Sequence, residues 1–164
     1  MPTNEINVQR FTVISSKPFQ AVIAAFVPSI GHPEMSAFGK NVAAAKTFAE
    51  LEKIVQEATG PSELMEFMRL DLGGVLRKRD GAAARQSMRF IVGNPVTMSR
   101  MVQHVPDAGS YAPVTILIDE RPDGVHLSYD RMASFLAAYG NAEALKVARD
   151  LDSKVECLLI TAAK

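Results

Sequence analysis

The sequence predicts an α+β domain: a bent antiparallel sheet of about five strands packed on a long C-terminal helix. Three observations carry this reading. Short runs at residues 6–14, 88–92, 114–120 and 125–130 alternate apolar and polar positions with the period of strands. The last two flank Arg121-Pro122-Asp123-Gly124, a tight-turn composition that makes them antiparallel neighbours. Beyond Met132, apolar residues recur at helical spacing almost to the end of the chain.

Each element has its local reason. Val8, Phe11, Val13 and Ile14 mark the first strand, and Ser15-Ser16 can cap a helix with Pro18 in its first turn. Phe19, Val22, Ile23 and Phe26 then form one helical face, which Pro28, Gly31 and Pro33 end. A helical insertion follows at about 34–58. Thr47 and Glu50 have the spacing of a capping box, which divides the region into two helices near Lys46, and Gly60-Pro61 stops it. Residues 63–76 read as a strand with a bulge or bend at Gly73-Gly74, before a turn at Asp80-Gly81. After the strand at 88–92, Asn94 is placed to cap a helix with Pro95 at its first position. Met98, Met101, Val102 and Val105 give that helix an apolar face, ending before Pro106. In the last helix Asn141 is the expected cap and Leu145, Ala148, Leu151, Val155 and Leu158 the buried stripe, with Asp150 and Lys154 spaced as an i, i+4 pair.

Composition limits the partners. At 164 residues the chain most simply forms one domain, residues 1–164, large enough for a full core. Hydrophobic residues make up 48% and charged residues 22%, a globular rather than a disordered balance. Eighteen Lys and Arg balance eighteen Asp and Glu, and the longest basic run is Arg77-Lys78-Arg79, so no stripe for nucleic acid is present. No apolar run is long enough for a membrane span. Residues 19–27 faintly resemble a signal-peptide core, but Pro18, Glu5 and the missing cleavage site argue for a reduced, cytoplasmic setting. The single cysteine, Cys157, lies among Val155, Leu158 and Leu159 and reads as a small buried hydrophobe.

At RFIVGNPVTMSRM and APVTILIDERPDGVHLSYDR the chain resembles the family called domain of unknown function 302. A strand ending in Gly-Asn-Pro, a helix, a Pro-led strand, an acidic turn with glycine and a Tyr-Asp strand end follow in order, over roughly residues 62–160. The resemblance implies a β-α-β-β-β-β-α core, with a bent sheet wrapping the last helix, and association as a homodimer. It implies no activity. The segment from Gly31 to Gly60 is longer than the connection usual in the family.

Candidate chemistry is sparse. The hairpin register that sets apolar residues opposite each other pairs Asp119 with His126 and Ile118 with Leu127. Thr115, Asp119, His126, Ser128 and Asp130 then share the other face, where a carboxylate opposite an imidazole would raise its pKa and orient it as a base. A solvent-facing polar face explains the same residues. Gly93 and Asn94, at a helix start, offer backbone N–H groups to an anion, although capping also accounts for them. Tyr129, Asp130 and Arg131 end a strand, where they can reach a ligand or, for Asp130, cap the next helix. His32, His104 and His126 lack metal-ligand spacing, and no phosphate loop, dinucleotide fingerprint or nucleophile elbow is present. No cofactor is implied.

These residues support three readings. The first is a non-enzymatic binding module holding an apolar or amphipathic small molecule, with Gly93, Asn94, Tyr129, Asp130 and Arg131 at its rim and methionines as an adaptable wall. The second is a hydrolase- or isomerase-like enzyme using Asp119 and His126. The third is a structural or oligomerisation role for the insertion.

Overall fold

The strands arise where alternation and pairing partners coincide. The computed structural model describes residues 5–164. Strand β1 (Arg10–Ser15) leads to helix α1 (Phe19–Phe26), then α2 (Met35–Ala44) and α3 (Phe48–Ala58). Strand β2 (Met65–Asp71), helix α4 (Leu72–Asp80), strand β3 (Ser87–Gly93) and helix α5 (Pro95–Val102) follow. The hairpin β4 (Val114–Arg121) and β5 (Gly124–Asp130), the short α6 (Met132–Leu136) and the long α7 (Ala142–Ala163) complete the chain. The five strands form an antiparallel sheet in the order β1-β5-β4-β3-β2. This is the α+β architecture expected, with its long C-terminal helix.

The inward face carries Val13, Leu127, Ile118 and Met88, and further along Tyr129, Ile116 and Phe90, each set aligned across strands by the register. α7 closes this face against α1, α5, β1 and β5. It buries Ala144, Ala148, Leu151, Val155, Leu158 and Leu159, while Leu145 is only half-buried beside them. Each large side chain taken from water contributes roughly 1.5–3 kcal/mol. Ser15, buried at the end of β1, donates to the Ala163 carbonyl at 2.7 Å and ties down the end of α7.

Several local expectations shift for tertiary reasons. β1 starts at Arg10 rather than at 6, because its partner β5 ends at Asp130; just before it, Gln9 accepts from the Arg131 amide and donates to the Ser134 hydroxyl instead of continuing the ladder. Ser15-Ser16 do not cap α1; Ser15 is spent on Ala163 and on the Lys17 amide, and Pro18 stands at the cap position. The strand expected through residue 76 stops at Asp71, whose carboxylate accepts from the Gly74 amide and starts α4. Glycine suits the place: a Cβ on Gly73 would lie 2.8 Å from the Ser87 nitrogen. Lys154 pairs with Glu63 of a distant loop instead of Asp150.

The 34–58 region is two helices, as the Thr47 cap implies; Thr47 accepts from the Glu50 amide at 3.2 Å. Its apolar stripe is covered within the chain. Phe38 and Val55 join Met65 and Val96 in a second small core, with Leu51, Ile54 and Phe67 packed against it. The segment is anchored where Gly60 crosses the chain at Ile30 so closely that a Cβ would sit 2.4 Å from the Ile30 carbonyl carbon.

Candidate functional site

Asn94 closes β3 and opens α5. Its Oδ1 accepts from the Val96 and Thr97 amides at 2.9 and 3.2 Å, and its Nδ2 donates to the Glu63 carbonyl at 3.0 Å. Both acceptor positions of Oδ1 and one N–H of Nδ2 are therefore used, and Asn94 occupies two of the amides that an anion would need. Beside it lies a cavity of ≈ 120 Å³ between α5, the end of β3, the start of β4 and α7. Phe67, Met98, Met101, Pro113 and Leu151 make walls that are almost wholly apolar, with Gly93 and Asn94 at the polar edge. Gly93 leaves room there that a side chain would take: a Cβ would meet Pro113 at 3.2 Å.

Tyr129 faces the core on β5, in line through Ile116 with Phe90 of β3 and three residues short of Gly93. It is 1% exposed, and its hydroxyl donates to Asp152 Oδ1 of α7 at 2.7 Å. The same carboxylate accepts the Met132 amide at 2.7 Å and the Ala133 amide at 3.1 Å. Asp152 thus caps α6 from 20 residues away, the role the sequence offered to Asp130. Burial lifts the Tyr129 phenol above its ordinary range, and the Asp152 charge adds to the effect. Burial also raises the Asp152 carboxyl, against the lowering effect of its three donors.

Asp130 and Arg131 do not join Asn94. Asp130 takes a bidentate bond from Arg10, at 2.7 and 2.8 Å. Arg131 bonds Glu156 at 2.7 Å and lies over the Phe11 ring at 5.6 Å. The expected rim divides into a cavity edge, a buried network and a surface pair.

The hairpin register is the expected one, with Asp119 opposite His126 and Ile118 opposite Leu127. The side chains choose other partners. Asp119 accepts from Arg121 at 2.7 Å, and His126, only 7% exposed, bonds Asp123 through Nε2 at 2.9 Å. The His126 bond is the main cause holding the Asp123 carboxyl below its ordinary value. Neither Asp119 nor His126 lines the apolar cavity.

The model of one protein family, described as domain of unknown function DUF302, matches residues 40–162. The chain belongs to the DUF302 family. Its fold is similar to the crystal structure of an uncharacterized conserved DUF302 protein from Bacillus stearothermophilus, with a TM-score of 0.62 and 10% identity over 94% of this chain and 98% of that one. No curated protein matches the chain.

Elsewhere in this DUF302 protein, His32 bonds the Val27 carbonyl at 2.9 Å and faces Glu66 at 3.3 Å, while His104 neighbours Gln103. Among the described residues no three His, Cys, Asp or Glu gather as a metal site, and no helix is long and apolar enough to cross a membrane. Cys157 is exposed rather than buried, because the buried stripe of α7 runs through Val155, Leu158 and Leu159 and turns position 157 outward. Sequence reasoning missed Asp152. The signal was present: it lies four residues after Ala148 and three before Val155, a lone carboxylate on the buried stripe.

Proposed function

We propose that this DUF302 protein is a non-enzymatic binding module for a small apolar molecule, held in the cavity between α5 and α7. One observation carries the reading: a pre-formed space of ≈ 120 Å³ walled by Met98, Met101, Pro113 and Leu151. An apolar cavity of ~150 Å³ holds a benzene ring, so a single-ring molecule or the end of a short aliphatic chain is the right class. Methionine walls adjust to such shapes. No carboxylate, imidazole or thiol lines the space, which supports binding without proton transfer.

The test is thermal stabilisation by benzene, toluene and indole, compared between wild type and Thr97→Phe, which narrows the space from α5. Stabilisation of the wild type alone is expected. Equal stabilisation of both proteins, or of neither, defeats the proposal. We infer a homodimer as the other partner, supported by the exposed Met68 and Val75 at 54% and 69%. A monomer mass in sedimentation at high micromolar concentration counts against it. The exposed, unpaired thiol of Cys157 supports the cytoplasmic setting.

A further inference from the structure

The outward face of the sheet holds a second recess, of ≈ 220 Å³, on the side away from α7. Its residues share that face by register: Arg10 stands opposite Asp130, Ser128 opposite Leu117, and Leu117 opposite Arg89. Leu72, the first residue of α4, forms an apolar wall, and Thr115 lies next to Arg89.

The charges in the recess do not balance. Arg10 is spent on Asp130 through two short bonds. Arg89 has no carboxylate partner among the described residues, and its guanidinium makes one long bond, 3.3 Å, to Thr115 Oγ1. Two guanidinium groups against one carboxylate leave a single positive charge. Across Leu117 from Arg89 on the same face, the Ser128 hydroxyl, on a residue only 6% exposed, lies 3.2 Å from that of Thr12, and either can turn to donate. Leu117 and Leu72 supply apolar surface.

We propose that this recess binds a monocarboxylate with a short apolar body. The carboxylate pairs with the Arg89 fork, whose planar donors match it, and takes a hydroxyl from Thr115 or Ser128. The aliphatic part lies along Leu117 and Leu72. A dianion would fit worse, because it exceeds the one spare charge and meets Asp130 in the same recess. The site is separate from the apolar cavity and does not depend on the reading of that cavity.

The test is calorimetric titration of the full chain with hexanoate and with hexanamide. Saturable hexanoate binding is expected, weakened about tenfold or more by Arg89→Gln and only partly restored by Arg89→Lys, with hexanamide weak throughout. Arg89 is exposed, so the variants should keep the wild-type far-UV circular dichroism. Leu117→Ser should weaken hexanoate while leaving acetate unchanged. Thr97→Phe should change neither, which separates a failure here from a failure of the cavity. Equal hexanoate affinity in wild type and Arg89→Gln would overturn the proposal. So would hexanamide matching hexanoate, the absence of saturable binding, or a second copy of the chain found seated over Arg89 and Leu117.

Discussion

Tyr129 near the end of β5 and Asn94 just past the end of β3 lie toward the same end of the sheet with β4 between them, yet their surroundings are finished differently. Around Tyr129 the polar atoms close on themselves: its hydroxyl and two amides meet one carboxylate, and apolar side chains fill the rest. Around Asn94 the polar atoms are equally spent, on two amides and a carbonyl, but Phe67, Met98 and Pro113 leave a space unfilled. The difference lies in the apolar packing. A collection of polar residues at a strand end says where hydrogen bonds go, whereas room for a ligand depends on what the neighbouring side chains fail to fill.

The largest effect expected is at the closed end. Asp152→Ala strands the Tyr129 hydroxyl proton and the Ala133 amide and leaves the Met132 amide only its 3.1 Å bond to the Tyr129 oxygen; it should cost roughly 3–5 kcal/mol, read from urea unfolding. A loss under ~1 kcal/mol would mean that water serves these donors and that the two ends are alike. Tyr129→Phe removes the bond to Asp152 and the one that the hydroxyl accepts from the Met132 amide, but it keeps the ring and leaves that amide bonded to Asp152, so about 1–2 kcal/mol is expected by the same measurement. At the open end, Asn94→Ala should cost about 1 kcal/mol as the loss of a helix cap. If its cost exceeds that of Asp152→Ala, the ranking of the two ends reverses.

A smaller effect follows from the protonation of Asp152. Burial raises its carboxyl above the ordinary 3.8, with partial compensation by the bonds from Tyr129, Ala133 and Met132. Between 3.8 and that raised value the native state binds more protons than the unfolded one, so this group's contribution to stability falls as pH rises through the window. Asp152→Asn lacks the group. The stability of wild type relative to this variant should therefore decline on crossing the window upward. Unfolding midpoints of the two proteins across mildly acidic pH decide it: an advantage that is constant or grows with pH contradicts the assignment.

What could be read in the chain alone was local. Asn94, Thr47 and Asn141 cap their helices as expected, because a cap needs only amides two or three residues away. The hairpin set Asp119 opposite His126 because side-chain alternation allows one register that keeps Ile118 and Leu127 on the same face. The helix face of Ala148, Leu151, Val155 and Leu158 followed from the 3.6-residue period. Tertiary structure decided which partner each side chain takes when several lie within reach. Asp119 and His126 stand opposite, but Arg121 and Asp123 offer closer bonds. Asp130 could have capped α6, but Asp152, brought in by the docking of α7, reaches those amides and leaves Asp130 to Arg10. Gly73 and Gly74 looked like a bend, yet they begin a helix because Asp71 caps it and β3 runs too close to Gly73 for any side chain. Backbone geometry and capping involve neighbours a few residues apart, so sequence spacing determines them; the choice of long-range partner and the space left between elements depend on how whole faces meet, which no local spacing encodes.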